Sequence, residues 1–460
     1  MGPDPINYML TISDLVLLIP GADIGIFLTV PIKLVFFVGG TAFLLTTGML
    51  LIRKPYRGVV LLPVITLLFP HFGDNLTVSL NANLVLLILI TIALFWNDRV
   101  YIPRRYLATL TVLIAAGLFA GMRMIFEYSF SKTVLSFGYF FQWLLYITLP
   151  IIIVSHLTSL SPERRQAVKQ TVVIAIFAAS GVIVIHLLTV QLDLLPAIAG
   201  GEKVTLGGRR LRTFWAQGPN VVGFFLVIQI LLTGAFALSL TLRKRYYIAC
   251  GGYILLCGSL LPFTYSRSAL VALVTGGLVF TLVRPRVIIP PVVFTCITAI
   301  MMLPANIQDR YLVNLFKYHY IQPLGQSLPV GPLHKRIALW ISHLQRFNEQ
   351  LILGNGFFVT HMDNTYLTLL VGSGVVGLML TLYLFAQFIT DCVGTFLCCR
   401  IENNRFNSGL ALGTVAIFVG FLSWGLFSEV FARWRILGII FLLIGLTLEQ
   451  GWRPLGTDTA

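Results

Sequence analysis

The chain has 460 residues, 57% hydrophobic and only 11% charged, with a mean hydropathy of +0.90. Soluble domains carry about one quarter charged residues, so a water-soluble fold is excluded. The formal charge of +15 is divided into short Lys and Arg clusters between apolar runs, which disfavours nucleic acid as a partner and fits the edges of a lipid bilayer.

In chain order, the start Met1-Gly2-Pro3-Asp4 lacks a basic n-region and a small-residue cleavage site, so no cleaved signal peptide is expected. Tyr8 to Leu28 is apolar but broken by Pro20-Gly21, and Gly58 to Phe72 is short. Leu34 to Ile52, Leu76 to Trp96, Val221 to Leu242 and Leu410 to Phe427 approach or exceed the roughly 20 residues that span hydrocarbon as a helix. No run alternates over about ten residues as a barrel strand would. The pattern predicts an all-α, polytopic integral membrane protein with about 12 to 14 transmembrane helices. It reads as one membrane domain over 1–460, without an internal repeat.

The clusters Arg53/Lys54/Arg57, Arg99/Arg104/Arg105, Arg164/Arg165/Lys169, Arg243/Lys244/Arg245, Arg284/Arg286 and Arg400/Arg405 should stay cytoplasmic. Threading the apolar runs between them puts both termini inside. Three segments then face outward: an Arg-rich loop over 191–213, a short turn at Tyr265-Ser266-Arg267, and a long loop over 305–363 that carries short helices. Two of these break the charge rule, with Lys203, Arg209, Arg210 and Arg212 in one and Arg310, Lys317, Lys335, Arg336 and Arg346 in the other. Two readings stand. Long loops are translocated regardless of charge, or the guanidinium forks await an anionic ligand such as a lipid diphosphate. Lys335 to Asn348 reads as an amphipathic helix, with Ile337, Trp340, Ile341, Leu344 and Phe347 on one face, suited to lie on the bilayer and roof a cavity.

None of the six cysteines has zinc-like or haem-like spacing, so neither a disulfide framework nor a metal site is expected. No cofactor is implied.

Three segments, in order, resemble the O-antigen ligase and polymerase superfamily of bacterial membrane glycosyltransferases. They are Arg209-Arg210-Leu211-Arg212-Thr213-Phe214 followed by Gly218-Pro219-Asn220; Tyr265-Ser266-Arg267-Ser268-Ala269-Leu270; and Asp363-Asn364-Thr365-Tyr366-Leu367 running into Gly374-Val375-Val376-Gly377. The resemblance covers about the last 270 residues of the sequence. Ligases of that superfamily carry a His before Asn, Ser or Gln, nine residues, then Gly-x-x-Gly. Here Asn364, the spacing and Gly374/Gly377 fit, while Asp363 stands in the His position and the nearest His is His361. That departure favours a polymerase.

The resemblance implies an enzyme of the bacterial inner membrane whose site faces the periplasm. An acceptor sugar hydroxyl attacks the anomeric carbon of an undecaprenyl-diphosphate-linked oligosaccharide. The leaving group departs as an anion, so catalysis needs cations aimed at the diphosphate. Arg267 is the first candidate, because a charge held in a short turn between spans is costly without an anionic partner; snorkelling to headgroups is the alternative. Arg210 and Arg212, which point the same way in extended chain, and then Arg209, would clamp diphosphate or glycan, or form a solvated loop. Asp363 or His361 would accept the hydroxyl proton, with burial raising an Asp toward a useful pKa. Asp363 alternatively caps a helix, with Asn364 the next polar residue at the membrane edge. Asn220 opens a span beside Trp215 and Gln217, Arg336 sits on the roof helix as a substrate contact or a lipid-facing cation, and Gly372, Gly374 and Gly377 read as helix-packing positions. Glu429, Arg433 and Arg435 fall near the last outer span end.

The alternatives are an O-antigen ligase using a lipid A core as acceptor, and a lipid-glycan flippase or transporter without chemistry. A transporter usually buries acidic groups or broken helices at the bilayer midplane; here the acidic residues fall near predicted span ends. Metal-dependent glycosyltransferases need an acidic pair on an early outer loop, where only Asp74 occurs.

Overall fold

The computed structural model describes residues 56–68, 88, 92, 102–127, 129–191, 219–241, 243–283, 320–321, 328–329, 332–346, 352, 354–356, 363–428 and 434–448. Its helices are α1 (Tyr56–Leu68), α2 (Arg104–Glu127), α3 (Phe130–Ser159), α4 (Pro162–Gln191), α5 (Pro219–Ser239), α6 (Lys244–Leu260), α7 (Arg267–Val283), α8 (Pro332–Arg346), α9 (Thr365–Ile401), α10 (Arg405–Gly425) and α11 (Trp434–Leu448). A 3-10 turn, Pro262–Thr264, joins α6 to α7. A two-residue antiparallel ladder pairs Tyr320 with Pro329 and Ile321 with Leu328. The chain is thus an all-α, multi-pass membrane protein. Among the described residues seven helices, α2 to α6, α9 and α10, are long and apolar enough to cross a bilayer, and α7 and α11 contribute shorter apolar helices.

Helix α10 is the axis of the bundle, packed against α5, α7, α9 and α11. It is buried nearly all round, as is α5, whereas α6 is mostly exposed at the periphery. A helix apolar on every side is what a central membrane span requires, since lipid and protein interior are equally apolar. Attraction between such helices comes from close packing, and here small residues allow it. A Cβ on Gly276 of α7 would lie 2.6 Å from the carbonyl oxygen of Ala416, and one on Gly420 of α10 would lie 2.8 Å from that of Ala272. The two contacts are reciprocal: Ala272 and Gly276 meet Ala416 and Gly420, each pair one helical turn apart. Helix α11 approaches α3 similarly, with Gly445 against Pro150 and Ile153. Phe385, Phe388, Phe418 and Phe441 interlock edge to face where α9, α10 and α11 meet.

The helices run alternately, so their ends separate into two faces. Arg57, Arg104, Arg105, Arg164, Arg165, Arg243, Lys244, Arg245, Arg400 and Arg405 all sit at helix ends on one face. Side-chain contacts tie that face together: Asn407 of α10 donates to Gln166 of α4 at 3.1 Å, and Arg405 donates to Thr241 after α5. Asp391 lies within α9 and is 12% exposed, and it accepts from Arg105 at 2.5 Å and Tyr106 at 2.6 Å, which joins α2 to α9.

If α7 and α10 are held by backbone contact, Gly420→Leu should lower stability by about 1–3 kcal/mol or more through overpacking. Gly251→Leu on the exposed α6, where nothing lies within 4 Å of an added Cβ, should be neutral. Thermal unfolding in detergent, followed by tryptophan fluorescence, compares the two.

Candidate functional site

The face opposite the basic clusters gathers the N-terminal ends of α5, α7 and α9 around the C-terminal end of α10. At the start of α7, chain reversal is achieved by Tyr265, whose φ of 52° and ψ of 26° are left-handed and whose N–H donates to the Pro262 carbonyl at 2.9 Å. Ser266 follows as N-cap, its Oγ accepting from the Ala269 N–H at 3.3 Å. Arg267 is therefore the first residue of α7, half-buried. A cation there adds to the partial positive charge of the helix N-terminus, an arrangement that favours an anion nearby. The turn is fixed to its neighbours through Ser268, which accepts from Trp424 Nε1 at 3.1 Å. Trp424 in turn stacks on Phe224 of α5, with ring centroids 4.5 Å apart and planes within 10°. Asn220 is the second residue of α5, after Pro219, whose missing N–H suits the first turn.

At the start of α9 the N-cap is Asn364, not Asp363. Its φ of −153° and ψ of 118° are extended, and its Oδ1 accepts from the N–H groups of Tyr366 at 2.9 Å and Leu367 at 3.1 Å. An amide serves better than a carboxylate here because the same side chain must also donate: Asn364 Nδ2 reaches the Leu426 carbonyl at 3.0 Å. Three more side chains close the end of α10 in the same way. Tyr366 donates to Leu422 O at 2.6 Å, Thr365 to Ser428 O at 2.7 Å, and Arg336 of α8 to Phe427 O at 3.1 Å. Carbonyls without partners at or just past a helix C-terminus are costly near a membrane; of these four only that of Leu422 lies within α10, and all are taken.

Arg336 also pairs with Asp363 at 3.5 Å. It therefore turns toward the bundle, which corrects the reading of it as a lipid-facing cation. Asp363 is 63% exposed, so the desolvation expected of it is not found. An exposed pair of this kind contributes at most about 1 kcal/mol to stability; its consequence is to fix where the carboxylate points.

Helix α9 has 37 residues, about 55 Å of helix and far more than one crossing needs. It is broken at Gly374, with φ 69° and ψ −177°. That glycine is a break in the helix rather than the packing position expected of it. The segment Gly354-Asn355-Gly356 is wedged into the break. Asn355 N–H donates to Val371 O at 2.8 Å and Gly356 N–H to Gly372 O at 2.9 Å, while Val376 N–H donates to Ile352 O at 3.4 Å. Both glycines have positive φ, 79° and 94°, and neither has room for a side chain: a Cβ would lie 2.4 Å from Gly372 O at Gly354 and 1.9 Å from Met124 Sδ at Gly356. Between them Asn355 is 1% exposed, and among the described residues neither end of its side-chain amide has a hydrogen-bond partner. A buried amide left unengaged costs on the order of 1–3 kcal/mol. Sequence reading passed over it; the Gly-Asn-Gly triplet, a turn signal inside an otherwise apolar stretch, was the available sign.

Of the sequence-derived candidates, the structure brings Asn220, Arg267, Arg336, Asp363 and Asn364 to one face. Arg209, Arg210, Arg212 and His361 lie outside the described residues, as do Trp215, Gln217, Glu429 and Arg433. No group of three or more His, Cys, Asp or Glu side chains able to hold a metal ion occurs among the described residues. The chain matches no protein-family model and no curated protein, so its likeness to the O-antigen superfamily rests on the three segments quoted above.

Gly356→Ala should destabilise the protein by roughly 1–3 kcal/mol, since it combines backbone strain with a clash. Adding Met124→Ala should recover only the clash component. Denaturation midpoints of the wild type, both single variants and the double variant test whether the wedge is seated as described.

Proposed function

We propose that the chain is a membrane glycosyltransferase that uses an undecaprenyl-diphosphate-linked glycan as donor and an acceptor sugar as nucleophile, acting as a repeat-unit polymerase at the periplasmic face of a bacterial inner membrane. The observation that carries this reading is the gathering of Arg267, Arg336 and Asp363 on one face, opposite the face with the clustered Lys and Arg. By the charge rule the clustered face is cytoplasmic, which turns the candidate site outward.

The reaction forms a bond from the acceptor oxygen to the anomeric carbon and breaks the bond from that carbon to the diphosphate oxygen. The bonding pair leaves with undecaprenyl diphosphate, and the hydroxyl proton must go to a base. Arg267, reinforced by the N-terminus of α7, is placed to stabilise the negative charge that grows on the departing diphosphate. Asp363 takes the proton, its carboxylate oriented by Arg336 rather than by burial. Arg210 and Arg212, with Arg209 behind them, are assigned to the diphosphate or the glycan, and His361 is the alternative base. Asn220 and Asn364 lie at the same face, Asn364 with its amide already committed to capping.

Purified protein supplied with lipid-diphosphate glycan should build a laddered product that gel electrophoresis resolves. Arg267→Ala should lower kcat about 10²- to 10³-fold, the cost of one removed transition-state donor, with Arg267→Lys intermediate because it keeps charge but loses the fork. Undiminished product from Arg267→Ala would remove this residue from the mechanism.

A chelator should leave the ladder intact, because guanidinium groups rather than a metal ion neutralise the leaving group; loss of product on chelation would exclude the metal-independent reading. Supplying a lipid A core in the same assay distinguishes a ligase, which would transfer glycan to the core.

A further inference from the structure

At the face opposite the candidate site, the ends of α5, α7 and α9 and the first turns of α6 and α10 border an open cavity of about 330 Å³. Its lining includes Arg400 and Arg405, both exposed, with Thr241 and Ser408, and the apolar Val283, Phe396 and Leu412. No acidic side chain lines it. The reversal between α9 and α10 sets the two arginines on either side of a tight loop. Asn403 adopts the left-handed conformation at φ 57°, and Asn404 N–H returns to Cys399 O at 2.8 Å. The Arg405 guanidinium is held from two directions, by Asn403 Oδ1 at 3.2 Å and by Thr241 Oγ1. Among the described residues neither arginine is in an ion pair. The N-terminal end of α10 contributes its own positive partial charge.

We propose that this cavity is a binding site for the phosphate of an anionic phospholipid. The phosphate sits against Arg400 and Arg405 and an acyl chain lies along the apolar lining. Two features separate it from the diffuse attraction that any cationic membrane edge exerts. One guanidinium is already held by neutral partners, so binding costs little side-chain entropy. The cavity is lined by cationic and apolar side chains together, which matches a headgroup with its chain better than it matches free phosphate. The site is at the other end of the bundle from the proposed chemistry and does not depend on it.

The test uses the full chain, purified in detergent and delipidated, then exposed to dioleoylphosphatidylglycerol, dioleoylphosphatidylcholine or inorganic phosphate. Bound lipid is counted by native mass spectrometry, and stabilisation is read from thermal unfolding. Phosphatidylglycerol should bind saturably and raise the unfolding midpoint, phosphatidylcholine should bind at least tenfold more weakly, and inorganic phosphate should not compete. Arg400→Gln breaks no hydrogen bond among the described residues, so it should weaken phosphatidylglycerol binding several-fold without changing the midpoint of the lipid-free protein. The Arg400→Gln, Arg405→Gln double variant should lose binding at least tenfold. Arg164→Gln removes an exposed cation from the same face but outside the cavity and should have no effect. Equal loss in Arg164→Gln, or equal retention of the two lipids, would overturn the proposal. Competition by inorganic phosphate that requires the two arginines would overturn the assignment to lipid and leave a free-phosphate site.

Discussion

Inside hydrocarbon a backbone N–H or C=O has no water to turn to, and each one must find a protein partner or carry a cost of several kcal/mol. Much of the end of the bundle opposite the basic clusters follows from that requirement. Helix α9 is interrupted at Gly374, which frees carbonyls that an unbroken helix would use, and the Gly354 to Gly356 segment supplies N–H groups to two of them. At the end of helix α10 the carbonyl of Leu422, and those of Leu426, Phe427 and Ser428 just past it, are met by Tyr366, Asn364, Arg336 and Thr365. The side chains that would line a substrate site are thus the ones that close exposed backbone, or their immediate neighbours. Irregular chain at this depth is tolerated where it lines a cavity or is sealed by protein.

The same constraint accounts for the rigidity of the site. Arg267 has little freedom to drift, because its turn is bound to α10 through Ser268 and Trp424 and α7 meets α10 at backbone contact through Gly276 and Gly420. Asp363 precedes a capped helix start and is held by a guanidinium from another segment. A group stabilising an anion gains from being fixed before the charge develops, since no reorganisation is then needed at the moment of reaction. Flexible arginines on a solvated loop would give up most of that advantage.

The helical class was legible because long apolar runs leave no other solution in a membrane, and the basic clusters fixed which helix ends belong together. Val221 to Leu242 became α5 over Pro219–Ser239, displaced toward the proline that starts it, and Lys335 to Asn348 became α8 over Pro332–Arg346. Local chemistry was harder to read where one side chain does two tasks. Asp363 and Asn364 are both good caps by propensity, and only the position of Leu426, just past the end of α10, decides for the amide. Gly374 looked like a packing glycine because its neighbours Gly372 and Gly377 share the pattern; the chain that fills the break lies about 20 residues upstream in the sequence and carries no periodic signal. Asn355 carries no periodic signal either, and its neighbour Gly356 packs against Met124 and Ser136, residues far away in the sequence.

Helix α8 is tethered by two bonds of different physical kind that share one guanidinium. The bond from Arg336 to the Phe427 carbonyl is short-ranged and, at 3.1 Å, involves a neutral acceptor; the attraction to Asp363 is between exposed charges and weakens as mobile ions accumulate, over a Debye length of roughly 8 Å at physiological ionic strength. Rising salt therefore frees the carboxylate before it frees the helix. The helix keeps its bond to the Phe427 carbonyl while the acid beside it gains freedom to reorient, so ionic strength acts on the direction of one side chain without unfastening α8.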